Sequence, residues 1–208
     1  MMKDKPKFPL KKGLPPLSTP HDERIILDLC GGTGAWSRPY SEAGYDVRNI
    51  TLPEFDVRAY APPKNVYGIL AAPPCTMFSL ARTTASTPRN FNEGMEIVEA
   101  CLRIIWSCRK KQKLAFWALE NPMGYLRQFL GKPPFVFNPS DFGDTWTKKT
   151  DLWGYFNFPK KNPITLTPEQ EWRCHINARK LPPIGSKQAD RRAITPAGFA
   201  KAFFEVNP

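Results

Sequence analysis

The sequence is poor in the residues that build metal and disulfide frameworks. It has two histidines and no C-x-x-C spacing, so a structural zinc site lacks the ligand clusters it requires. The five cysteines (Cys30, Cys75, Cys101, Cys108, Cys174) are odd in number, which argues against a disulfide framework. Cys174-His175 stands alone and reads as a surface or packing pair. No apolar run is long enough to cross a bilayer, and no internal repeat is found. The opening "MMKDKPKFPLKKGLPPLSTP" is basic and proline-rich without the apolar centre of a signal peptide. These absences together give the expectation of a cytoplasmic, metal-free chain in reducing surroundings. No Gly-Lys-Ser/Thr follows the glycine cluster at residues 31–34, which excludes a P-loop, and its spacing is not the dinucleotide fingerprint. Acidic residues are scarce relative to basic ones, 19 against 30, giving a formal charge of +11 and a pI near 9.6. That excess suits a polyanionic partner such as nucleic acid, although simple solubility accounts for it equally well.

What is present has a clear rhythm. "RIILDL" (24–29) is apolar and β-branched, "CGGTG" follows at once, and "AWSRPYSEAG" reads as a helix ending at Gly44. Residues 45–50, 66–72 and 113–120 read as further strands, with an amphipathic helix over 92–111 between the last two. The alternation predicts an α/β fold of Rossmann-like type, a mainly parallel sheet with helices on both faces. Past Pro122 a short helix is expected in "MGYLRQFLG" and a strand in "DLWGYFNF", while 155–193 look loop-like. The final helix is expected to begin with Thr195 as N-cap and Pro196 in its first position. At 208 residues the chain suits one domain with a sizeable core. The expected division is a basic arm (1–22), a core (23–154), a short basic region (155–193) and a closing helix (194–208).

Open α/β sheets bind ligands at the carboxyl ends of their strands. The first predicted strand delivers Asp28 and the glycine turn there, whose small residues let backbone N–H groups approach a ligand. A tight strand-to-helix turn explains that stretch equally well. The next strand at this edge brings Cys75 behind Pro73 and Pro74, on a backbone that both prolines constrain. A thiolate would be favoured there by a helix N-terminus or a cation. The following strand ends in "ALENPMG" with Glu120, which alone reads as a turn or cap residue.

Taken in order, "LDLCGGTGAWS", "FDV", "APPCTMFS", "LENPMG" and "KKTDLW" resemble the motifs of the DNA cytosine-5 methyltransferases over about residues 25–155, with a weaker match at "RRAITPAGFAKAFF". The resemblance implies a Rossmann-like, S-adenosylmethionine-dependent methyltransferase fold and methyl transfer to C5 of cytosine. Cys75 would attack C6, Glu120 would hydrogen-bond or protonate N3, and Lys149 would face the base where the family commonly has arginine. Covalent catalysis of this kind divides a difficult substitution into two easier steps. The resemblance places the cofactor against Asp28, Cys30, Gly31, Gly32, Gly34, Trp36, Asp56, Val57 and Pro74, with Asn49 or Thr51 in place of the family's acidic ribose ligand. It also shows departures. Cys30 replaces a phenylalanine that packs on adenine, Thr76 replaces the glutamine after the nucleophile, and Thr195-Pro196 replaces Gly-Asn in the last helix.

The family's long target-recognition region is reduced here to about 40 residues, so phosphate contacts are expected to dominate binding and sequence specificity to be low or short. On duplex DNA the base would have to leave the stack, which a single-stranded substrate would not require. Three alternatives remain open: a methyltransferase-fold binding protein without turnover, a C5-modifying enzyme using a modified S-adenosylmethionine, and a thymidylate-synthase-like enzyme. The last usually has histidine after the cysteine and leaves "LDLCGGTG" unexplained.

Overall fold

The computed structural model describes residues 21–80, 82, 85–111, 113–170 and 193–208. Nearly all of the basic arm and much of the expected loop region, Cys174 and His175 included, lie outside the described residues. The elements run β1 (Ile25–Leu29), α1 (Arg38–Glu42), β2 (Asp46–Ile50), β3 (Val66–Ala71), α2 (Phe91–Lys111), β4 (Phe116–Pro122), α3 (Leu126–Leu130), β5 (Phe135–Phe137), β6 (Thr150–Tyr155) and α4 (Ala197–Val206).

The sheet order is β2-β1-β3-β4-β6-β5. The first four strands pair in parallel and the last two join antiparallel. This is the Rossmann-like architecture expected from the alternating pattern. Strands covered on both faces carry near-continuous apolar runs, and β1 is buried at every position. Its odd-numbered residues Ile25, Leu27 and Leu29 face one core, shared with Val98, Cys101, Ile104, Ile105 and Cys108 of α2. Ile26 faces the other, which Tyr40 of α1 and Phe199, Ala200 and Phe203 of α4 complete.

The second core is largely aromatic. Phe137 and Phe199 stack with ring centroids 3.9 Å apart and planes 13° from parallel, and Tyr40 donates a 2.7 Å hydrogen bond to the Asn207 carbonyl. Gly68 of β3 makes room for one of these rings, because a Cβ there would come within 2.3 Å of Phe116.

Two features differ from expectation. The hairpin partner β5 and the 3-10 turn Pro139–Phe142 fall in a stretch read as irregular, since three residues of strand leave little periodicity to detect. The last helix starts one residue late. Pro196 is the N-cap, with φ −58° and ψ 132°, and no side chain caps the turn, so Thr195 does not hold that position. Docking sets the start instead. A Cβ on Gly198 would lie 2.1 Å from the Phe142 carbonyl oxygen, so the first turn is pressed against the 3-10 segment.

Gly68→Ala should overpack the second core and lower the unfolding free energy by about 1–3 kcal/mol, measured by urea titration. An unchanged midpoint would mean that Phe116 moves aside freely.

Candidate active site

Three adjacent parallel strands, β1, β3 and β4, end at the same edge of the sheet. β1 leads into the glycine turn. Asp28 is fully buried; its Oδ2 accepts a 2.6 Å hydrogen bond from Ser37 Oγ, and its Oδ1 is buried without a partner. Burial pushes this carboxyl up to about 6, against the lowering effect of Ser37. The turn folds back over it. A Cβ on Gly31 would lie 2.3 Å from the carboxyl carbon, and Gly32 and Gly34 take φ values of +54° and +68°, a region that favours glycine.

Asn49 Nδ2 donates to the Gly32 carbonyl at 2.9 Å, while its Oδ1 is a second buried acceptor without a partner. Cys30 also has positive φ, 57°. Its amide donates to the Ile50 carbonyl, and interaction with the Cys101 thiol of α2 lowers the Cys30 thiol from its ordinary value.

β3 leads into the Cys75 segment, which is fixed from several sides. The amides of Phe78 and Ser79 donate back to the Cys75 carbonyl, and the Phe78 ring is fully buried. Asn121 Nδ2, on β4, donates a buried 2.9 Å hydrogen bond to the Pro73 carbonyl. Farther along, the Tyr125 amide donates to the Phe78 carbonyl, and Ser79 forms a bridge with Gly124. Arg89 donates to the Met77 and Ser79 carbonyls at 2.9 and 2.8 Å and lies over the Tyr125 ring. Cys75 is half-buried, with Pro74 and Thr76 exposed on either side.

Glu120 is 16% exposed, and Lys148 Nζ stands 3.9 Å from its Oε1. Burial raises the carboxyl above its ordinary value; Lys148 opposes that rise and Asp151 adds to it. Asp151 is itself fully buried and paired with Arg127.

The expectations for single residues divide accordingly. Asp28, Asn49, Gly31, Gly32 and Gly34 converge on one turn, and Cys75 and Glu120 follow neighbouring strands. Lys149 is exposed; its carbonyl accepts from the Met123 amide, and the cation beside Glu120 is Lys148. Trp36 is turned into the second core against Phe199 and Phe203, 5.8 and 5.5 Å between centroids, because α4 supplies the aromatic surface its ring requires. It therefore does not line the ligand edge.

Val57 is buried in the first core. Asp56 has both oxygens engaged by Arg58, which lowers its pKa. Thr51 is half-buried and accepts from the Phe55 amide. Sequence reasoning missed Arg89, Arg103 and Asn121. Arg103, an exposed residue, secures the 57–60 loop through the Val57, Arg58 and Tyr60 carbonyls, partners too distant in sequence for a local reading to find.

Comparison with protein-family models gives no match, and comparison with curated proteins gives none either. Among solved structures the chain resembles a mutant of Spodoptera frugiperda DNMT2, with 18% identity and a TM-score of 0.38 over 69% of this chain and 55% of that one. It also resembles the protein of a DhpI-SAM-HEP complex, with 11% identity and a TM-score of 0.28 over 76% and 70% of the two chains. The first match thus spans little more than half of the DNMT2 chain.

The buried Asp28 gives a pH test. Its folded pKa, about 6, lies above the unfolded value of 3.8. The folded state therefore binds the extra proton, and this group's contribution to stability is lost as pH rises through 6. The stability of wild type relative to Asp28→Asn should fall by about 2–3 kcal/mol between pH ~4 and ~8, followed by chemical denaturation. Parallel pH profiles for the two proteins would contradict the assignment.

Proposed function

We propose that the protein is an S-adenosylmethionine-dependent methyltransferase that acts on C5 of cytosine in DNA through a transient Cys75 adduct. The observation that carries this reading is the joining of the Cys75 segment to the Glu120 strand by the Asn121–Pro73 hydrogen bond. The glycine turn lies on the other neighbour of β3. This arrangement fits a pyrimidine ring addressed by sulfur and carboxyl together, with a donor seated beside them.

The turn suits the cofactor on its own features: two buried acceptors, Asp28 Oδ1 and Asn49 Oδ1, have no donor, and Gly31 has no space for a side chain. Gly32 and Gly34, together with those acceptors, are the residues that would hold it. S-adenosylmethionine supplies, when bound, an electrophilic methyl group on sulfonium sulfur. The departure at Cys30 bears on how tightly the adenine is packed rather than on the reacting atoms.

The chain's own residues perform the remaining steps. The Cys75 thiolate forms a bond to C6 and the C5=C6 electron pair moves into the ring, making C5 nucleophilic. Glu120 delivers a proton to N3 and balances the developing charge. Burial favours the protonated carboxyl it needs, and Lys148 receives the carboxylate left behind. After C5 has gained its methyl group the N3 proton returns to Glu120, and loss of the C5 proton to solvent base re-forms the C5=C6 double bond as the S–C6 bond breaks and its electron pair leaves with the thiolate. The basic excess of the chain supports a nucleic-acid substrate held largely through phosphates.

An oligonucleotide containing 5-fluorocytosine, incubated with S-adenosylmethionine, should give a covalent adduct on a denaturing gel that Cys75→Ser abolishes. Absence of any adduct, with no modified cytosine by nucleoside mass spectrometry, would refute the reading and leave a binding protein. Glu120→Gln should slow turnover by about 10²–10⁴-fold. Lys148→Met should cost about tenfold or more, since it removes a charged partner from a buried carboxylate. Lys149→Met should change the rate less than about threefold, as for an exposed lysine; equal losses at the two positions would overturn the pairing with Glu120.

A further inference from the structure

The opposite edge of the sheet carries a concavity that the proposed reaction does not use. A cavity of about 1190 Å³ opens where β1, β2 and β3 begin and α2 ends. β1 separates it from the glycine turn by about 16 Å of strand, so it is not an extension of the ligand edge. Arg24 lines it. This residue is 3% exposed, and its Nε is buried without an acceptor. Its guanidinium lies 4.9 Å from the Tyr67 ring centroid and 5.9 Å from that of Tyr45, so two aromatic rings set its plane. Arg24 NH1 reaches the Tyr45 hydroxyl at 3.4 Å, and the Tyr67 hydroxyl is spent on the Pro208 carbonyl.

Lys64, Lys111, Lys113 and Arg103 line the same cavity. Among the described residues, none of these four nor Arg24 takes part in an ion pair. Of the carboxylates at the site, Asp46 is engaged by Arg48, and Asp22 and Glu23 are exposed to water. A buried guanidinium is costly to leave without an anion. Its planar fork matches the oxygens of a phosphate better than a point charge would.

We propose that this amino-edge cavity binds phosphate groups of a polynucleotide strand, with Arg24 as the buried anchor and Lys64 and Lys113 as outer contacts. The size favours a strand over a small compound, because single-ligand pockets usually occupy about 300–1,000 Å³. The +11 charge of the chain suits the same partner. The cavity would hold nucleic acid away from the reacting edge and add affinity without reading sequence.

The test is binding without any methyl donor, so its result is independent of whether the protein transfers a methyl group. A fluorescein-labelled 20-nucleotide single strand is titrated by anisotropy against wild type, Lys64→Glu/Lys113→Glu and the equal-charge control Lys132→Glu/Lys201→Glu, at several salt concentrations. The cavity pair should lose about tenfold more affinity than the control, and its log–log salt slope should fall by about 1.4, as for two single-strand phosphates. Arg24→Met, checked for folding by circular dichroism, should also weaken binding. If it does not fold, the lysine pair decides. Calorimetry with inorganic pyrophosphate separates the sources. Pyrophosphate binding lost in Arg24→Met, with oligonucleotide affinity of the lysine pair equal to the control, would keep the phosphate chemistry and assign the site to a free phosphate compound. Oligonucleotide binding equal to the control together with no Arg24-dependent pyrophosphate binding would overturn the proposal.

Discussion

One buried amide holds the candidate site together. Asn121 donates to the carbonyl of Pro73, a residue that cannot itself donate and that lies beyond the β3 ladder. The bond extends the pairing of β3 with β4 past the point where the regular register stops, at Ala71 opposite Leu119. It ties the Pro-Pro-Cys turn to β4 two residues before Cys75. With it, the thiol segment is referenced to the same strand that carries Glu120. The Tyr125 amide and the Ser79–Gly124 bridge repeat the connection farther out. Gly124 permits it, since a Cβ there would meet the Phe78 carbonyl at 2.2 Å.

This anchoring coexists with carboxyls that folding would not choose for stability. Asp151 is compensated by Arg127, which approaches both of its oxygens at 2.5 and 2.6 Å. Asp28 is held through Ser37, keeps an orphan oxygen, and is pushed up to about 6. Buried polar atoms are normally satisfied, and exceptions call for a reason. The contrast between two buried aspartates in one small sheet is informative: Asp151, opposite Asn121 on β6, is closed by an arginine, and Asp28, beneath the glycine turn, keeps an oxygen without a partner.

The sequence displayed the parallel half of the sheet well, because strands covered on both faces have to be apolar throughout, and "RIILDL" and "VYGILAA" are. It displayed the glycine turn and the Cys75 and Glu120 strand ends for the same reason: each follows a recognisable run. The antiparallel half was harder. β5 has three residues, and its partner β6 begins immediately after two adjacent lysines whose assignment depends on a single step of register. Successive residues of an extended chain point to opposite sides, so Lys148 meets Glu120 while Lys149 meets water. Motif position alone pointed to Lys149, whereas the structure sets Lys148 beside Glu120. Trp36 is a different case: its neighbours in sequence belong to the glycine turn, but its partners Phe199 and Phe203 come from a helix more than 160 residues away in sequence, and local reading does not contain them.

The distance between Lys148 and Glu120 bears on the chemistry. At 3.9 Å the ammonium is close enough to attract a carboxylate yet beyond ordinary hydrogen-bond length. A tight bidentate partner, such as Arg127 provides for Asp151, would favour the ionised carboxyl strongly and remove the proton that the attack proposed above calls for. A carboxyl with no cation nearby would keep its proton and resist giving it up. Burial on one side and a lysine 3.9 Å away on the other leave Glu120 raised from its ordinary value by the first and restrained by the second. In the reaction proposed above Glu120 donates a proton and takes it back within one cycle, and such opposed influences suit that role, because neither protonation state is then so favoured that the reverse transfer becomes slow.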